Sequence, residues 1–361
     1  MKTGRTIQEM AVELQRQSEA KSDYLVNTGR LQMAVWDGQP MLHLLGEGGE
    51  DQMEPLEVLT TAHRQLGTYL NIPQKYYDRM LQEDTGLLSY NVNRWFQRMP
   101  EQQRMIRTMD GRARAFLSNR YRRIDNIDIA KIALPIIGEM PDARFESCQI
   151  TDDYMYLKVV NPRLTAEVVP GDIVQAGVVI SNSETGLGAV CIQPLVFRLV
   201  CSNGMVVNEA RTRRNHVGRV NSTDENIAIY SRETLAADDH AFTLKIQDTV
   251  RAAVKEAQFS QVLDKMRESK QAKLNTADIP NVVKLASSSF GITETEGQGV
   301  LQRLIEDADY TLYGLANAVT RYSQDVDSYD RASKLEEIGY TVMTMSPELF
   351  RRINQFTQMA A

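Results

Sequence analysis

The stretch that decides the fold class is residues 171–204, GDIVQAGVVISNSETGLGAVCIQPLVFRLVCSNG. Apolar and β-branched residues form runs of strand length, and polar turn residues interrupt them at 181–188 and again at 202–204. Short connections favour antiparallel pairing, because neighbouring parallel strands need a long crossover. This stretch therefore predicts part of an antiparallel β-sheet.

The alternation of apolar and polar residues extends outward from this stretch, over residues 87 to about 210. A short helix over 127–138 is predicted to interrupt it. The strands that we predict lie at 104–109, 112–117, 144–150, 154–160, 172–180, 189–200 and 205–209.

Helical patterns flank the predicted sheet on both sides. Pro55 and Pro73 each precede apolar residues at helical spacing, and proline is favoured at the first position of a helix. Further upstream, residues 1–20 are typical of a short polar helix or an arm, and Asp37-Gly38 predicts a hairpin. Downstream, a capping box at 222–225 precedes a helical pattern that runs to about residue 269. Shorter helices are predicted near 280–288, 297–306, 310–321, 329–338 and 346–357.

The predicted fold class is α+β. An antiparallel β-sheet core over about 104–210 is joined by an N-terminal helical pair and by a C-terminal helical region that packs on the sheet. We predict three parts of the chain: an arm and hairpin over 1–53, the helix pair with the sheet core over 54–220, and the helical region over 221–361.

Composition places the chain among ordinary globular proteins. Of its 361 residues, 42% are hydrophobic and 24% are charged. The three cysteines, Cys148, Cys191 and Cys201, have no paired spacing, which argues against a disulfide scaffold or a zinc site. No stretch of 18 apolar residues predicts a membrane span, and residues 1–21 lack the apolar core of a signal peptide. We expect a cytoplasmic protein.

Arginines are concentrated in two segments. Residues 101–123 hold seven arginines and two acidic residues, and residues 198–219 hold five arginines and one acidic residue. A protein with this polarity can bind an anion on one surface and stay soluble through the rest.

The first segment predicts a hairpin with a two-residue turn at Asp110-Gly111, which would place Arg107 opposite Arg114. Because opposed arginines repel, an anionic group should lie beside them, and either phosphates or protein carboxylates would serve. The predicted faces alternate along the strands: Arg107, Met109, Arg112, Arg114 and Phe116 on one, and Ile106, Thr108, Ala113, Ala115 and Leu117 on the other.

Catalytic signatures are weak. The chain contains no GxxxxGK[ST] phosphate loop and no GxSxG nucleophile elbow. Asp125, Asp128 and Glu184 could hold Mg²⁺ as in a nuclease, but acidic residues in turns are more often caps and turn formers. We expect Asp125 to have a structural role, with Asp125 or Asn126 capping the helix that follows.

Several segments resemble the phage- and plasmid-like protein family labelled domain of unknown function 932. They are LGTYLNIPQKYYDRM at 66–80, RAFLSNRYRRIDN at 114–126, GDIVQAGVVISNSETGLGA at 171–189, RLVCSNGM at 198–205 and YGLANAVTRYSQDVDSYDRASKLE at 313–336. The resemblance implies a mobile-element origin and carries over no catalytic residues. A looser similarity is to single-strand annealing recombination proteins, which have a β-sheet backed by a long helix and use basic and aromatic groups along a groove.

We therefore expect a phage- or plasmid-derived homo-oligomer that binds single-stranded DNA and promotes strand annealing, without an essential cofactor or metal. Two alternatives stay open, a metal-dependent nuclease and a protein-binding factor that acts on a host partner. The predicted nucleic-acid-binding residues are Arg107, Arg112, Arg114, Phe116, Arg120, Tyr121, Arg122 and Arg123, with Arg211, Arg213 and Arg214 as a second strip.

Overall fold

The computed structural model describes residues 1–46, 48–51, 53–208, 212–214, 232–253 and 256–355. The capping box predicted at 222–225 and the predicted binding residue Arg211 lie outside them. Within the described residues the fold is α+β, as predicted, with helices packed against two six-stranded sheets.

The first sheet joins the N-terminal strands to the arginine-rich hairpin. Its strands are β1 (Lys21–Asn27), β2 (Leu31–Trp36), β3 (Gln39–Leu44), β4 (Leu56–Val58), β5 (Gln103–Met109) and β6 (Arg112–Ser118). Their order is β1-β5-β6-β4-β3-β2. Strands β4 and β6 are parallel, so the prediction of a purely antiparallel sheet is wrong at this pair.

Both hairpins predicted from Asp-Gly turns are present in this sheet. Asp37 and Gly38 have φ values of 47° and 76°, and Asp110 and Gly111 have φ values of 52° and 71°. Positive φ at both central residues is the geometry of a type I′ turn, which matches the twist of the two strands that it joins. The turn chemistry therefore predicted these two hairpins correctly.

The second sheet contains the stretch that decided the fold class. Its strands are β7 (Arg144–Ile150), β8 (Met155–Glu167), β9 (Ile173–Asn182), β10 (Val190–Arg198), β11 (Asn203–Val206) and β12 (Thr212–Arg214). They are ordered β11-β10-β9-β8-β7, and β12 pairs with β10. Each pair is antiparallel, which confirms the predicted strands and their pairing here.

The N-terminal helices differ from the prediction in two places. They are α1 (Ile7–Ala20), α2 (Thr60–Tyr69), α3 (Gln74–Glu83) and α4 (Thr85–Phe96). Pro55 precedes β4 rather than a helix, and α2 begins five residues later. Helix α4 was wrongly predicted as the start of the strand region. Its buried residues Leu88, Val92 and Phe96 recur every four positions, and the Asp84 carboxylate accepts a hydrogen bond from the Leu87 N–H at its N-terminus.

The remaining helices surround the second sheet. They are α5 (Asn126–Gly138), α6 (Arg232–Ala253), α7 (Glu256–Gln271), α8 (Ile279–Phe290), α9 (Glu294–Asp307), α10 (Leu312–Tyr322), α11 (Tyr329–Met343) and α12 (Pro347–Gln355). Helices α1, α5 and α6 share an apolar cluster with Leu157, Ile180 and Ile192 of the sheet. The helices from α7 onward pack with one another and with Val174 and Val196. The C-terminal helices therefore pack on the second sheet.

Candidate nucleic-acid interface

A β-bulge changes the predicted faces of the arginine hairpin. Met109 lies opposite Arg112, as a two-residue turn requires, but the register shifts so that Arg107 lies opposite Ala115. Arg114 is the extra residue of the bulge. The prediction that Arg107 faces Arg114 across the pair is therefore wrong, although both side chains turn toward the second sheet.

The shift also exchanges apolar residues between the faces. Phe116 lies opposite Ile106 and shares its core with helices α2 and α4, whereas Leu117 packs with Met105 on the other side. The prediction placed Phe116 beside the arginines and Leu117 beside Ile106. Because side chains alternate along a strand, one inserted residue moves every later side chain to the opposite face.

Arg107 is buried in a cage of protein acceptors, with 2% of its side chain exposed. Its Nε donates to Asp23 at 2.7 Å, its Nη2 to Asp125 at 2.7 Å, and its Nη1 to the Glu184 carbonyl at 3.0 Å. Burial acts to lower the pKa of Arg107, but the neighbouring carboxylates outweigh it and raise that pKa. The guanidinium is charged, and its donors are used within the protein.

Glu184 holds the second buried arginine. Its carboxylate, 2% exposed, accepts from Arg114 Nη1 at 3.0 Å and from the Asn126 N–H at 2.6 Å, and it lies 3.5 Å from Lys21 Nζ. Glu184 follows β9 in the second sheet, whereas Lys21 and Arg114 belong to the first. Carboxylates, rather than phosphates, thus offset these arginines, and the ion pairs join the two sheets.

Asp125 has a structural role, but it does not cap the helix as predicted. It occupies the N-cap position of α5 without a side-chain hydrogen bond to that helix. Its carboxylate lies 2.8 Å from Lys21 Nζ as well as accepting from Arg107. Burial acts to raise its pKa, but the two cations outweigh burial and lower that pKa. The Glu184 carboxylate caps the helix instead, through the Asn126 N–H.

Phe116 and Tyr121, the two aromatic residues predicted to stack bases, also make contacts within the protein. Phe116 is 5% exposed, and its ring centroid lies 5.4 Å from that of Tyr69 and 6.3 Å from that of Phe96. The Tyr121 hydroxyl donates to the Ser183 and Glu184 carbonyls at 3.2 and 3.3 Å. Burial raises the pKa of Tyr121.

The other arginines of the first segment do not form one surface. Arg122 is half-buried, with its guanidinium carbon 5.8 Å from the centre of the Phe242 ring, and the exposed Arg123 lies 3.5 Å from Asp23. Arg112 and Arg120 are half-buried and form no ion pair with another described residue. They lie at opposite ends of β6, so the two side chains are not neighbours on one surface.

Of the second predicted strip, the structure describes Arg213 and Arg214, which belong to β12. Arg213 is exposed and lies opposite Cys191, and the backbone of Arg214 pairs with Val190. Arg213 forms no ion pair with another described residue.

The acids of the nuclease alternative are not grouped for a metal. Asp125 and Glu184 face lysine and arginine side chains, and Asp128 is exposed in the first turn of α5. Among the described residues, no three His, Cys, Asp or Glu side chains lie where they could hold a metal ion together.

An exposed aromatic and cationic surface is present instead on α4 and the two residues that follow it. Tyr90 is 66% exposed and Trp95 is 38% exposed, and Arg94 and Arg98 are exposed beside them. The Arg98 guanidinium lies 5.0 Å from the centre of the Trp95 ring. We call Tyr90, Arg94, Trp95 and Arg98 the α4 surface. Residues 85–100 contain no acidic side chain, so this surface is cationic.

The sequence contained a signal for this surface that the strand prediction concealed. Tyr90 and Arg94 lie four residues apart, which places them on one side of a helix, and Arg98 continues this spacing just beyond the end of α4. The buried Leu88, Val92 and Phe96 have the same spacing two positions away. Two interleaved four-residue repeats, one polar and one apolar, are typical of an amphipathic helix.

Comparison with known proteins identifies a family but no characterised relative. No curated protein and no solved structure matches the chain. No described helix is both long enough and apolar enough to cross a membrane. The family model for a domain of unknown function (DUF932) matches residues 115–353, which include the second half of β6, α5, the second sheet and most of the C-terminal helices. Since this match covers more than half of the chain, the protein belongs to the DUF932 family.

Proposed function

We propose that this protein binds single-stranded DNA and that the α4 surface is the contact region. The observation that carries the proposal is the presence of exposed aromatic rings beside exposed arginines along α4 and within two residues of its C-terminal end. Proteins that bind single strands without sequence preference combine cationic side chains, which follow the backbone, with aromatic rings, on which bases stack.

The two residue types of the α4 surface would act differently. Tyr90 and Trp95 would stack bases, and each stacked base contributes about 1–3 kcal/mol to binding. Arg94 and Arg98 would contact phosphates and release counterions, which gives a salt dependence of about 0.7 in logarithmic slope for each contact on a single strand. Guanidiniums also stack on rings, as Arg98 does on Trp95.

Strand annealing, assembly into homo-oligomers and an origin in a phage or plasmid are further parts of this proposal. They rest on the looser similarity to single-strand annealing recombination proteins, which is an argument by analogy. An annealing protein should speed the pairing of two complementary oligonucleotides without ATP. Stopped-flow fluorescence of a donor- and acceptor-labelled strand pair would measure this.

Tryptophan fluorescence offers a direct test, because Trp36 and Trp95 are the two tryptophans of the chain. In a Trp36→Phe protein, Trp95 is the remaining tryptophan, and stacking of a base should quench its emission. We expect saturable quenching by an oligothymidine at low salt. Absence of binding at low salt would refute the proposal, and binding to an acidic protein in its place would favour the protein-partner alternative.

Anisotropy of a labelled oligothymidine over a salt series separates the two roles. Arg94→Ala with Arg98→Ala should weaken binding and reduce the slope of log affinity against log salt by about 1.4. Tyr90→Ala should weaken binding and leave that slope unchanged, because stacking releases few counterions. The matched control is Arg112→Ala with Arg120→Ala, which removes the same charge from half-buried positions of the sequence-predicted site. If the control, rather than the α4 variant, reduces the slope, the contact region is misplaced.

A further inference from the structure

A second surface feature lies between the second sheet and α11. Register across four strands places Tyr156, Ser181, Cys191 and Arg213 in one row, because each lies directly opposite the next. Residues in register across an antiparallel sheet share a face. The row spans three strand spacings, about 14 Å in all, and forms one wall of a pocket.

Helix α11 forms the facing wall. Asp330, Ser333, Lys334 and Glu337 have the spacing i, i+3, i+4 and i+7, which places them on one side of the helix, and all four line the same pocket. The pocket has a volume of about 370 Å³. That volume lies at the lower end of the range of about 300–1,000 Å³ for small-molecule sites.

One hydroxyl in this pocket has no partner among the residues that the structure describes. Ser333 is 8% exposed, and its Oγ makes no hydrogen bond to any of them. Buried polar atoms in folded proteins are nearly always hydrogen-bonded, so an unsatisfied hydroxyl that lines a cavity indicates a missing partner. A ligand with a polar edge would supply that partner.

Among the described charges that line the pocket, Arg213 is a cation without an acidic partner. Lys334 Nζ lies 2.8 Å from Glu337, so these two neutralise each other. The Asp330 carboxyl accepts hydrogen bonds from Thr151 at 3.1 Å and from Tyr156, and burial raises its pKa. Arg213 is exposed at the end of the row and forms no ion pair within the described chain. An anionic group on a ligand would therefore bind at Arg213.

The aromatic part of the pocket is well fixed. The Tyr154 and Tyr156 rings stack with centroids 5.7 Å apart and planes 29° apart, and the Tyr154 hydroxyl donates to the Leu187 carbonyl at 3.0 Å. A Cβ at Gly188 would lie 2.6 Å from the Tyr154 ring, so glycine is needed for this close approach. The rings provide a flat apolar contact for a planar group.

We propose that this pocket binds a nucleoside monophosphate. The base lies against Tyr154, the phosphate binds Arg213, and a polar group of the base or the ribose hydrogen-bonds to Ser333 Oγ. Among the described residues, the Tyr154 ring, the unpaired Arg213 and the unsatisfied Ser333 hydroxyl together fit a ligand that is planar, anionic and polar at its edge. The pocket lies within residues 115–353, whereas the α4 surface lies outside them, so the two proposals stand separately.

Isothermal titration calorimetry of the full chain tests whether the protein binds a nucleoside monophosphate. The ligands are the 5′-monophosphates of adenosine, guanosine, cytidine and uridine, with the nucleosides and inorganic phosphate as separate arms. We expect at least one monophosphate to bind at least tenfold more tightly than its nucleoside and than phosphate. No binding of any monophosphate at millimolar concentration would overturn the proposal, and so would equal binding of phosphate alone.

Two variants locate the site. Arg213→Ala should reduce the affinity for the monophosphate to that for the nucleoside. Ser333→Ala should weaken binding at least threefold without lowering the melting temperature of the free protein, since it removes a hydroxyl that has no partner among the described residues. The control is Arg163→Ala, an exposed arginine paired with Asp142, which should leave binding unchanged. If Arg213→Ala binds like the wild type while remaining folded, the site is not this pocket.

Discussion

The arginines of α4 and those of the β5–β6 hairpin are close in sequence but have opposite environments. Arg94 and Arg98 are exposed, and residues 85–100 hold no acidic side chain. Arg107 and Arg114, a few residues later, are buried against carboxylates from other parts of the chain. Local density of arginine therefore says little about which arginines can reach a ligand. The positions of the acidic partner residues decide which arginines stay available to a ligand.

The largest loss of stability should come from removing a carboxylate that pairs with the buried arginines. Glu184→Ala leaves Arg114 with an uncompensated buried charge, and breaking a buried pair in this way costs about 3–5 kcal/mol. Urea unfolding followed by circular dichroism would measure the loss. Glu101→Ala removes an exposed carboxylate near the same hairpin and should change stability by less than about 0.5 kcal/mol. Equal losses of stability in the two variants would show that the buried ion pairs stabilise the fold no more than an exposed carboxylate does.

A buried base without a paired carboxylate should have a lowered pKa, whereas the pKa of Arg107 is raised. His63 is 7% exposed, and its Nδ1 lies 2.8 Å from the Tyr77 hydroxyl. Burial lowers the pKa of His63 from its usual 6.5 to about 4. The folded state thus disfavours the charged imidazole, so the associated stability is present above pH 6.5 and is lost as the pH falls toward 4.

The expected loss over that window is at most about 3 kcal/mol, since each unit of pKa shift corresponds to about 1.4 kcal/mol. Urea unfolding of the wild type and of His63→Gln at pH 7, 6, 5 and 4 would measure it. The wild type should lose stability relative to the variant as the pH decreases. Parallel pH profiles of the two proteins would contradict the assignment.

Much of the fold follows from local sequence, because its determinants are local. Asp-Gly turns predicted two hairpins, and runs of β-branched residues predicted the strands of the second sheet. The site did not follow from local sequence. Asp23 lies 84 residues before Arg107, and Glu184 lies 70 residues after Arg114, so no window of the sequence shows these pairs. The bulge at Arg114 is a further feature that a period-2 pattern cannot show.

An ion pair of intermediate exposure should make an intermediate contribution to stability. Glu296, at the start of α9, accepts from Arg331 at 2.6 and 2.7 Å, and the two side chains are 11% and 29% exposed. The hydrogen bonds from Arg331 lower the pKa of Glu296 from 4.5 to about 2. Its contribution to stability is therefore present above pH 4.5 and is lost as the pH falls toward 2.

Glu296→Gln should cost about 1 kcal/mol at pH 7, because solvent screening reduces the worth of such a pair. The difference from the wild type should disappear near pH 2, and thermal unfolding over the pH range would show it. The fully exposed pair of Arg79 and Glu83 is the control, so Glu83→Gln should have almost no effect at either pH. A difference that persists at pH 2 would mean that the Glu296 side chain acts through packing instead.

The smallest effect on stability is expected at the arginines of α4. Arg94 is exposed and forms no ion pair within the described chain, and Arg98 contacts the exposed Trp95 ring. Arg94→Ala with Arg98→Ala should change the free energy of unfolding by less than about 0.5 kcal/mol, since alanine is a good helix former and no buried contact is lost. Urea unfolding beside the Glu184→Ala protein gives the direct comparison. A loss above about 1 kcal/mol would show that these arginines hold the fold together, as Arg107 and Arg114 do, and would leave the α4 surface without free cations for DNA.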